Sequence, residues 1–309
     1  MSAFTWRDGD RTIVYGEDAA GAVRRLGWDS DTTLLTTPRA DPHIMPALRV
    51  GEGQVPDLAA QLLPEAGGGR LLAWGGGRVI DTAKAIASVT GARVGAVPTT
   101  LSGAEMTSLH RKIEGREQGP SVRPLLVIGD PALMCSLPEP ALRASALNAL
   151  AHGVEALYGP RANPVAEIVA LRGVQLVAGG DRALGALLCA YAVDSAGYAV
   201  HHVLSQTTVR VAGTGHAQTN AAVLPATITV MLERAPAAMS DLATALGVST
   251  GDLVERVDGL GGHVRIGIDT PAREAVADAA LRRPELADTP GPEVTRAELL
   301  GMLAMAAAG

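Results

Sequence analysis

The sequence predicts an α/β domain with a Rossmann-like parallel sheet over residues 1–137, followed by an all-α domain over residues 138–309, with a cleft between them. Three observations carry this reading. Strand-like and helix-like segments alternate through the first 130 residues, the pattern of a mostly parallel sheet covered on both faces. Beyond Pro138 the strand signals fade, and long Ala/Leu-rich segments follow one another. Between Leu71 and Ala87 a strand runs through three glycines straight into a helix.

In chain order, Arg11–Tyr15 reads as a strand, Asp18–Leu26 as a short helix, Thr32–Thr37 as a strand and Pro56–Leu63 as a helix. Arg70–Trp74 is the strand before the glycines, Val79–Val89 the helix after them, and Arg93–Val97 and Pro124–Ile128 are further strands. Helices are expected at Pro140–Tyr158, Pro164–Val177, Arg182–Ser205, His216–Ala235, Pro236–Leu246, Asp252–Leu260 and Arg296–Ala308. Proline and the pairs Gly179-Gly180 and Gly261-Gly262 separate them.

Composition excludes several classes of function. A net charge of −6 leaves no electrostatic footprint for nucleic acid. Two cysteines, Cys135 and Cys189, are too few for a disulfide framework and lack partners at zinc-ligand spacing, so both read as buried thiols. The longest strongly apolar run, Ala183–Val193, is about half a membrane span, and the N-terminus has no apolar signal segment. The expectation is a cytoplasmic protein that binds neither nucleic acid nor membrane.

The chemistry concentrates in four segments. In LLAWGGGRVIDTAKAIA, Gly75, Gly76 and Gly77 permit turns and close backbone approach, and the helix start offers N–H groups and partial positive charge to an anion such as a pyrophosphate. A plain strand-to-helix turn is the alternative reading of the glycines alone. The second segment, VPTTLSGAEMT, places Thr99, Thr100 and Ser102 about twenty residues later, with hydroxyls suited to a ribose or carboxamide. The third, SALNALAHGVEALYGPRANP, puts Asn148 and His152 on one helix face, since they are four apart. The fourth is the histidine-bearing pair GYAVHHVLSQ and GTGHAQTNAAVLP. From the residues alone, a core histidine bonded to its neighbours is the competing reading of His152.

Together these segments resemble the iron-containing alcohol dehydrogenase superfamily, which has a dehydroquinate synthase-like fold. Its loop pattern GGGSxxDxAK matches here through Gly75–Gly77, Asp81 and Lys84, with Arg78 in place of the usual Ser. Its PTTxxxGSE segment is resembled by PTTLSGAE at Pro98–Glu105. Among its members the chain is most similar to maleylacetate reductases, whose LNALAHAVEALYAPxANP matches residues 147–164. The resemblance implies an oxidoreductase using NAD(H) or NADP(H), a small-molecule or peptide substrate, and a homodimer. Thr36, Thr37 and Pro38 stand where related dehydrogenases hold the adenosine ribose; without an acidic residue there, either nucleotide is admitted.

The resemblance also assigns His152, His202 and His216 to the ligand positions of metal-dependent relatives, with Asn148 where those carry Asp. Three neutral imidazoles and an Asn bind a divalent ion less well than three imidazoles and a carboxylate, so a catalytic metal is not favoured. Asn148, His152, His202 and His216 are then the catalytic candidates, with His202 or His216 polarising a carbonyl oxygen and donating a proton. His201 is expected to point to another side of its helix. Two further family histidines are Gln206 and Asn220 here. The chain reads as shortened between Val177 and Tyr191 and between Thr107 and Asp130. The readings are a maleylacetate reductase-like enzyme, or an alcohol dehydrogenase acting on a larger peptide or natural-product hydroxy substrate with accompanying decarboxylation. A catalytically silent nucleotide-binding homologue is the alternative from another class.

Overall fold

A computed structural model describes residues 3–307 and divides the chain into two compact units that meet at Leu137 and Pro138. In the first unit, β1 (Phe4–Asp8) and β2 (Arg11–Tyr15) form a hairpin that turns at Gly9, whose φ of 61° favours glycine. After α1 (Ala19–Arg25) come β3 (Thr32–Thr36), β4 (Ala47–Arg49) and α2 (Val55–Ala66). Then follow β5 (Arg70–Gly75), α3 (Gly77–Thr90), β6 (Arg93–Pro98), β7 (Leu126–Gly129) and the single turn α4 (Pro131–Met134).

Among the described residues the strands make one seven-stranded sheet in the order β1-β2-β7-β6-β5-β3-β4. Every neighbouring pair is parallel except β1 with β2. Side-chain alternation along the strands loads both faces. Leu71 and Ala73 of β5 pack with Leu58 and Leu62 of α2 and Ile80 and Ile86 of α3. Leu72 and Trp74 point the other way, into a cluster with Ala22 and Val23 of α1 and Trp28. The short edge strands β1 and β4 were not among the expected elements. Each is only partly buried, so neither shows the apolar run that marked the central strands.

The second unit is helical, with an isolated bridge from Ile266 to Ala307. Its centre is α5 (Glu139–Ala156), buried on all sides from Ala144 onward, as a helix enclosed by others must be. Around it stand α6 (Pro164–Ala178), α7 (Arg182–Ala196) and α9 (His216–Arg234), with α8 (Val200–Ala212) packed on α9. The remaining helices are α10 (Pro236–Leu246), α11 (Leu253–Gly261), α12 (Thr270–Ala280) and α13 (Arg296–Ala306). The sequence reading ran the last of these to Ala308, which lies outside the described residues.

Small residues set how closely the central helices approach. A Cβ on Gly173 of α6 would stand 2.7 Å from Cys189 Sγ, and one on Gly185 of α7 would stand 2.7 Å from the Gly173 carbonyl oxygen. Cys189 is buried between them, and burial pushes its thiol up to about 12. Cys135, expected to be buried, is half-buried.

One expected helix is two. The segment Arg182–Ser205 breaks at Gly197, where φ is 84°, and α7 and α8 meet there at 104°. The pair is therefore not one long apolar rod, and no single described helix is long and apolar enough to cross a membrane. The break has a larger consequence: it starts α8 just before His201 and His202.

Candidate active site

In the first unit, the two loop motifs lie against each other. A Cβ on Gly76 would stand 3.0 Å from Thr100 Cγ2, and one on Gly77 would stand 3.0 Å from Cβ and Oγ of Ser102. Gly75 is closed in by Val79, at 2.6 Å from such a Cβ, and its carbonyl accepts from Thr99 N at 3.0 Å. The three glycines are not among the residues of positive φ. Close approach, and not backbone freedom, explains them.

No side chain caps the N-terminus of α3. Beside it, the buried Thr100 Oγ1 has no partner. An uncapped helix start with an unsatisfied hydroxyl is a setting that suits the phosphate and sugar oxygens of a nucleotide.

The other residues assigned to this loop are placed differently. Lys84 is fully buried, and its ammonium donates to Asp81 Oδ1 at 2.9 Å, Ala104 O at 3.1 Å and Leu109 O at 2.6 Å. All three of its hydrogens are thereby occupied, and it ties the Thr-rich loop to α3. Arg78 pairs with Glu52, one of its two contacts being 2.9 Å. At the end of β3, Thr36 is buried, and Thr37 Oγ1 accepts from Ala40 N at 3.3 Å, so the Thr36-Thr37-Pro38 segment turns on its own hydroxyl.

In the second unit, the histidines gather around a residue that the sequence reading did not single out. Glu155 lies one turn after His152 on α5 and is fully buried. Its Oε1 accepts from the backbone N–H groups of Ala199 at 3.0 Å and His202 at 3.3 Å. A carboxyl group from another helix thus caps the start of α8, the favourable end for it. Its Oε2 meets His202 Nδ1 in a short hydrogen bond.

Burial raises Glu155 above the usual carboxylate range and, followed by the charge of His216, pulls His202 down to about 3. Both shifts favour the uncharged forms. In the uncharged pair the carboxyl donates to His202 Nδ1, and the imidazole hydrogen sits on His202 Nε2. That nitrogen is buried and has no partner.

His201 belongs to the same cluster, contrary to expectation. Successive helix positions do face different ways, but the first turn of α8 is enclosed on both sides. The His201 ring meets that of His202 edge-on at 74°, with its Nδ1 3.4 Å from His202 Nδ1. Its Nε2 donates to the Asn220 carbonyl at 3.1 Å, and burial, followed by His202, takes its pKa down to about 4. His152 stacks on His202 at 4.8 Å and 13°, its Nδ1 without a partner and its basicity well reduced, chiefly by burial. Asn148 is buried on the same helix. His216, at the start of α9, is exposed; Asn220 Nδ2 donates to its carbonyl at 2.8 Å and lies 3.4 Å from its Nε2.

Among the described residues, Glu155, His201 and His202 are the group whose ligand atoms come within 4.8 Å of one another. The group does not include His152 or His216. Two stacked imidazoles direct their in-plane nitrogen lone pairs along nearly parallel planes, which do not converge on one ion about 2.1 Å from each. Within the Glu155 group, His202 Nδ1 and Glu155 Oε2 already meet in a hydrogen bond.

Residues 178–283 match the family described as Fe-containing alcohol dehydrogenase family, C-terminal. The chain is 35% identical over 255 residues to maleylacetate reductase 1 of Rhodococcus opacus, an alignment covering 75% of this chain and 71% of that protein. The crystal structure of maleylacetate reductase from Agrobacterium tumefaciens superposes with a TM-score of 0.82 at 26% identity, covering 99% of both chains. That of an iron-containing alcohol dehydrogenase from Corynebacterium glutamicum gives 0.82 at 28%, covering 96% of this chain and 94% of the other.

Proposed function

The chain belongs to the iron-containing alcohol dehydrogenase family of oxidoreductases, and from that premise we propose that it reduces a conjugated oxo acid of the maleylacetate class with NADH or NADPH, using His202 as the acid in place of a metal. The observation that carries this reading is the unpartnered, buried Nε2 of His202, backed through Nδ1 by a buried carboxyl.

The bound nicotinamide supplies the hydride. Whether it is delivered to a ketone carbon or to a carbon–carbon double bond next to one, negative charge develops on the carbonyl oxygen. His202 Nε2–H is the group that stabilises and then protonates this oxygen. As that proton leaves, the proton on Glu155 Oε2 passes to Nδ1, so the imidazole stays neutral throughout. The resulting carboxylate is held by the two N–H groups of Ala199 and His202. His152 stacks against the acting ring and fixes its plane. Asn148 and His216 are the remaining polar groups assigned here to the substrate side. Gly75, Gly76, Gly77, Thr99, Thr100 and Ser102 form the nucleotide cradle, with Asp81 and Lys84 bracing it from beneath.

The donor set speaks against a catalytic divalent ion at the family position. Asn148 brings no charge, and the His152 and His202 rings are stacked. Titrating metal-stripped protein with NADH and NADPH tests the nucleotide assignment, followed by energy transfer from tryptophan. Trp74 lies near the end of the strand that leads into the cradle, so saturable quenching by one or both nucleotides is expected. Absence of quenching and of any competing nucleotide binding contradicts the assignment.

A further inference from the structure

Gln206 lies one turn beyond His202 on α8, on the same helical face, and its carboxamide is held in one orientation. Arg283 Nη1 and Nη2 approach Gln206 Oε1 at 3.3 and 3.2 Å. A guanidinium only donates, so the end of the carboxamide facing it must be the oxygen. The orientation of an amide is often ambiguous, but here the chemistry of the partner decides it.

Arg283 is itself fixed. Its Nε and Nη2 donate to Glu285 at 3.0 and 2.8 Å, and its Nη2 lies 3.4 Å from Tyr198 Oη. Tyr198 Oη in turn donates to Glu285 at 3.1 Å, while its ring lies 5.7 Å from that of His202. The Arg283 hydrogen bond holds the Glu285 carboxylate down to about 2, so the arginine charge is already balanced. The cluster therefore offers a substrate no free cation. What it leaves over is the NH2 end of Gln206, which points away from Arg283 and has no partner among the described residues.

We propose that Gln206 donates a hydrogen bond from Nε2 to an oxygen of the oxo-acid substrate beside His202, with Arg283 acting as a positioning residue that locks the carboxamide. This rests on the functional reading above and names a binding residue within it. It also gives a role to the Arg283–Glu285 pair: it serves to orient a neutral donor, and does not bind a substrate carboxylate directly.

The test is calorimetric titration of maleylacetate into protein saturated with NAD+, which cannot reduce it, so binding is read without turnover. Gln206→Met removes both ends of the carboxamide. Gln206→Glu keeps an oxygen for Arg283 but has no N–H. Arg283→Met frees the carboxamide to turn. Both Gln206 variants are expected to bind maleylacetate about tenfold more weakly, the worth of one directed hydrogen bond, and Arg283→Met several-fold more weakly. NADH affinity and unfolding temperature are expected to stay near wild type.

A residue that merely braced Arg283 would tolerate Glu, so wild-type affinity in Gln206→Glu overturns the proposal. Wild-type affinity in Gln206→Met overturns it equally, as does a wild-type protein that binds NADH but shows no saturable binding of maleylacetate. If NADH itself does not bind, the functional reading fails instead, and titration of nucleotide-free protein still reports on Gln206.

Discussion

Replacing Glu155 by Gln is expected to lower kcat by about a thousandfold, the middle of the range that a positioned acid contributes, while leaving KM and NADH affinity within a few-fold of wild type. The carbonyl oxygen of the substituted side chain still accepts from Ala199 N and His202 N, so the start of α8 keeps its cap and the fold its geometry. The amide NH2 still meets His202 Nδ1, and Nε2 still carries a hydrogen toward the substrate oxygen. What is lost is the second proton. Once Nε2 gives up its hydrogen, an amide cannot resupply Nδ1, and the ring would have to become an imidazolate. Binding therefore survives and proton transfer does not. Steady-state kinetics separates the two, and a kcat within fivefold of wild type would remove Glu155 from the mechanism.

The second large effect concerns stability and lies in the first unit. Glu105 is fully buried in the Thr-rich loop, neither of its carboxyl oxygens has a partner, and burial raises its pKa from 4.5 to about 7. Between those values the folded chain keeps a proton that the unfolded chain has released. Stability therefore falls as pH rises from 4.5 to 7 and levels off above. The difference between the two values corresponds to about 3 kcal/mol. Glu105→Gln removes this titration. Its stability relative to wild type is expected to be about 3 kcal/mol more favourable at pH 8 than at pH 4.5, read from urea unfolding at the two values.

The buried histidines act in the opposite sense. His201 and His202 have folded-state values near 4 and 3, so they cost stability as pH falls below 6.5. That contribution is common to both proteins and cancels in the comparison. A difference independent of pH would show that Glu105 is already neutral or already solvated.

Much of the fold was legible because the sequence states it locally. The central strands announce themselves by apolar runs between turn signals, and the Gly75–Gly77 segment by its place between a strand and a helix. β1 and β4 were missed because edge strands are half-exposed and short. The α7–α8 break was missed because it depends on Gly197 alone, in a stretch otherwise apolar enough to read as continuous helix.

The site was legible unevenly for a related reason. His152 and His202 stood out as residue types, whereas the role of Glu155 depends on a contact 47 residues away. Its signal was nevertheless present: a single carboxyl set in the apolar run Ala149–Tyr158, on the part of the helix that is enclosed on all sides. Lys84 shows the reverse case. The family pattern makes it a cofactor-binding candidate, but a buried ammonium needs acceptors of its own, and it finds them in Asp81 and two carbonyls.

The central claim is that a carboxyl-backed imidazole does here what a metal does in other members of the family. The direct measurement is turnover of maleylacetate by chelator-stripped protein with nicotinamide deuterated at C4, before and after adding iron(II) or zinc. The account predicts reduction with deuterium carried into the product at a rate that neither metal changes by more than about twofold, small against the hundredfold or more ascribed to the acid itself. Activity that appears only when a metal is restored would contradict it.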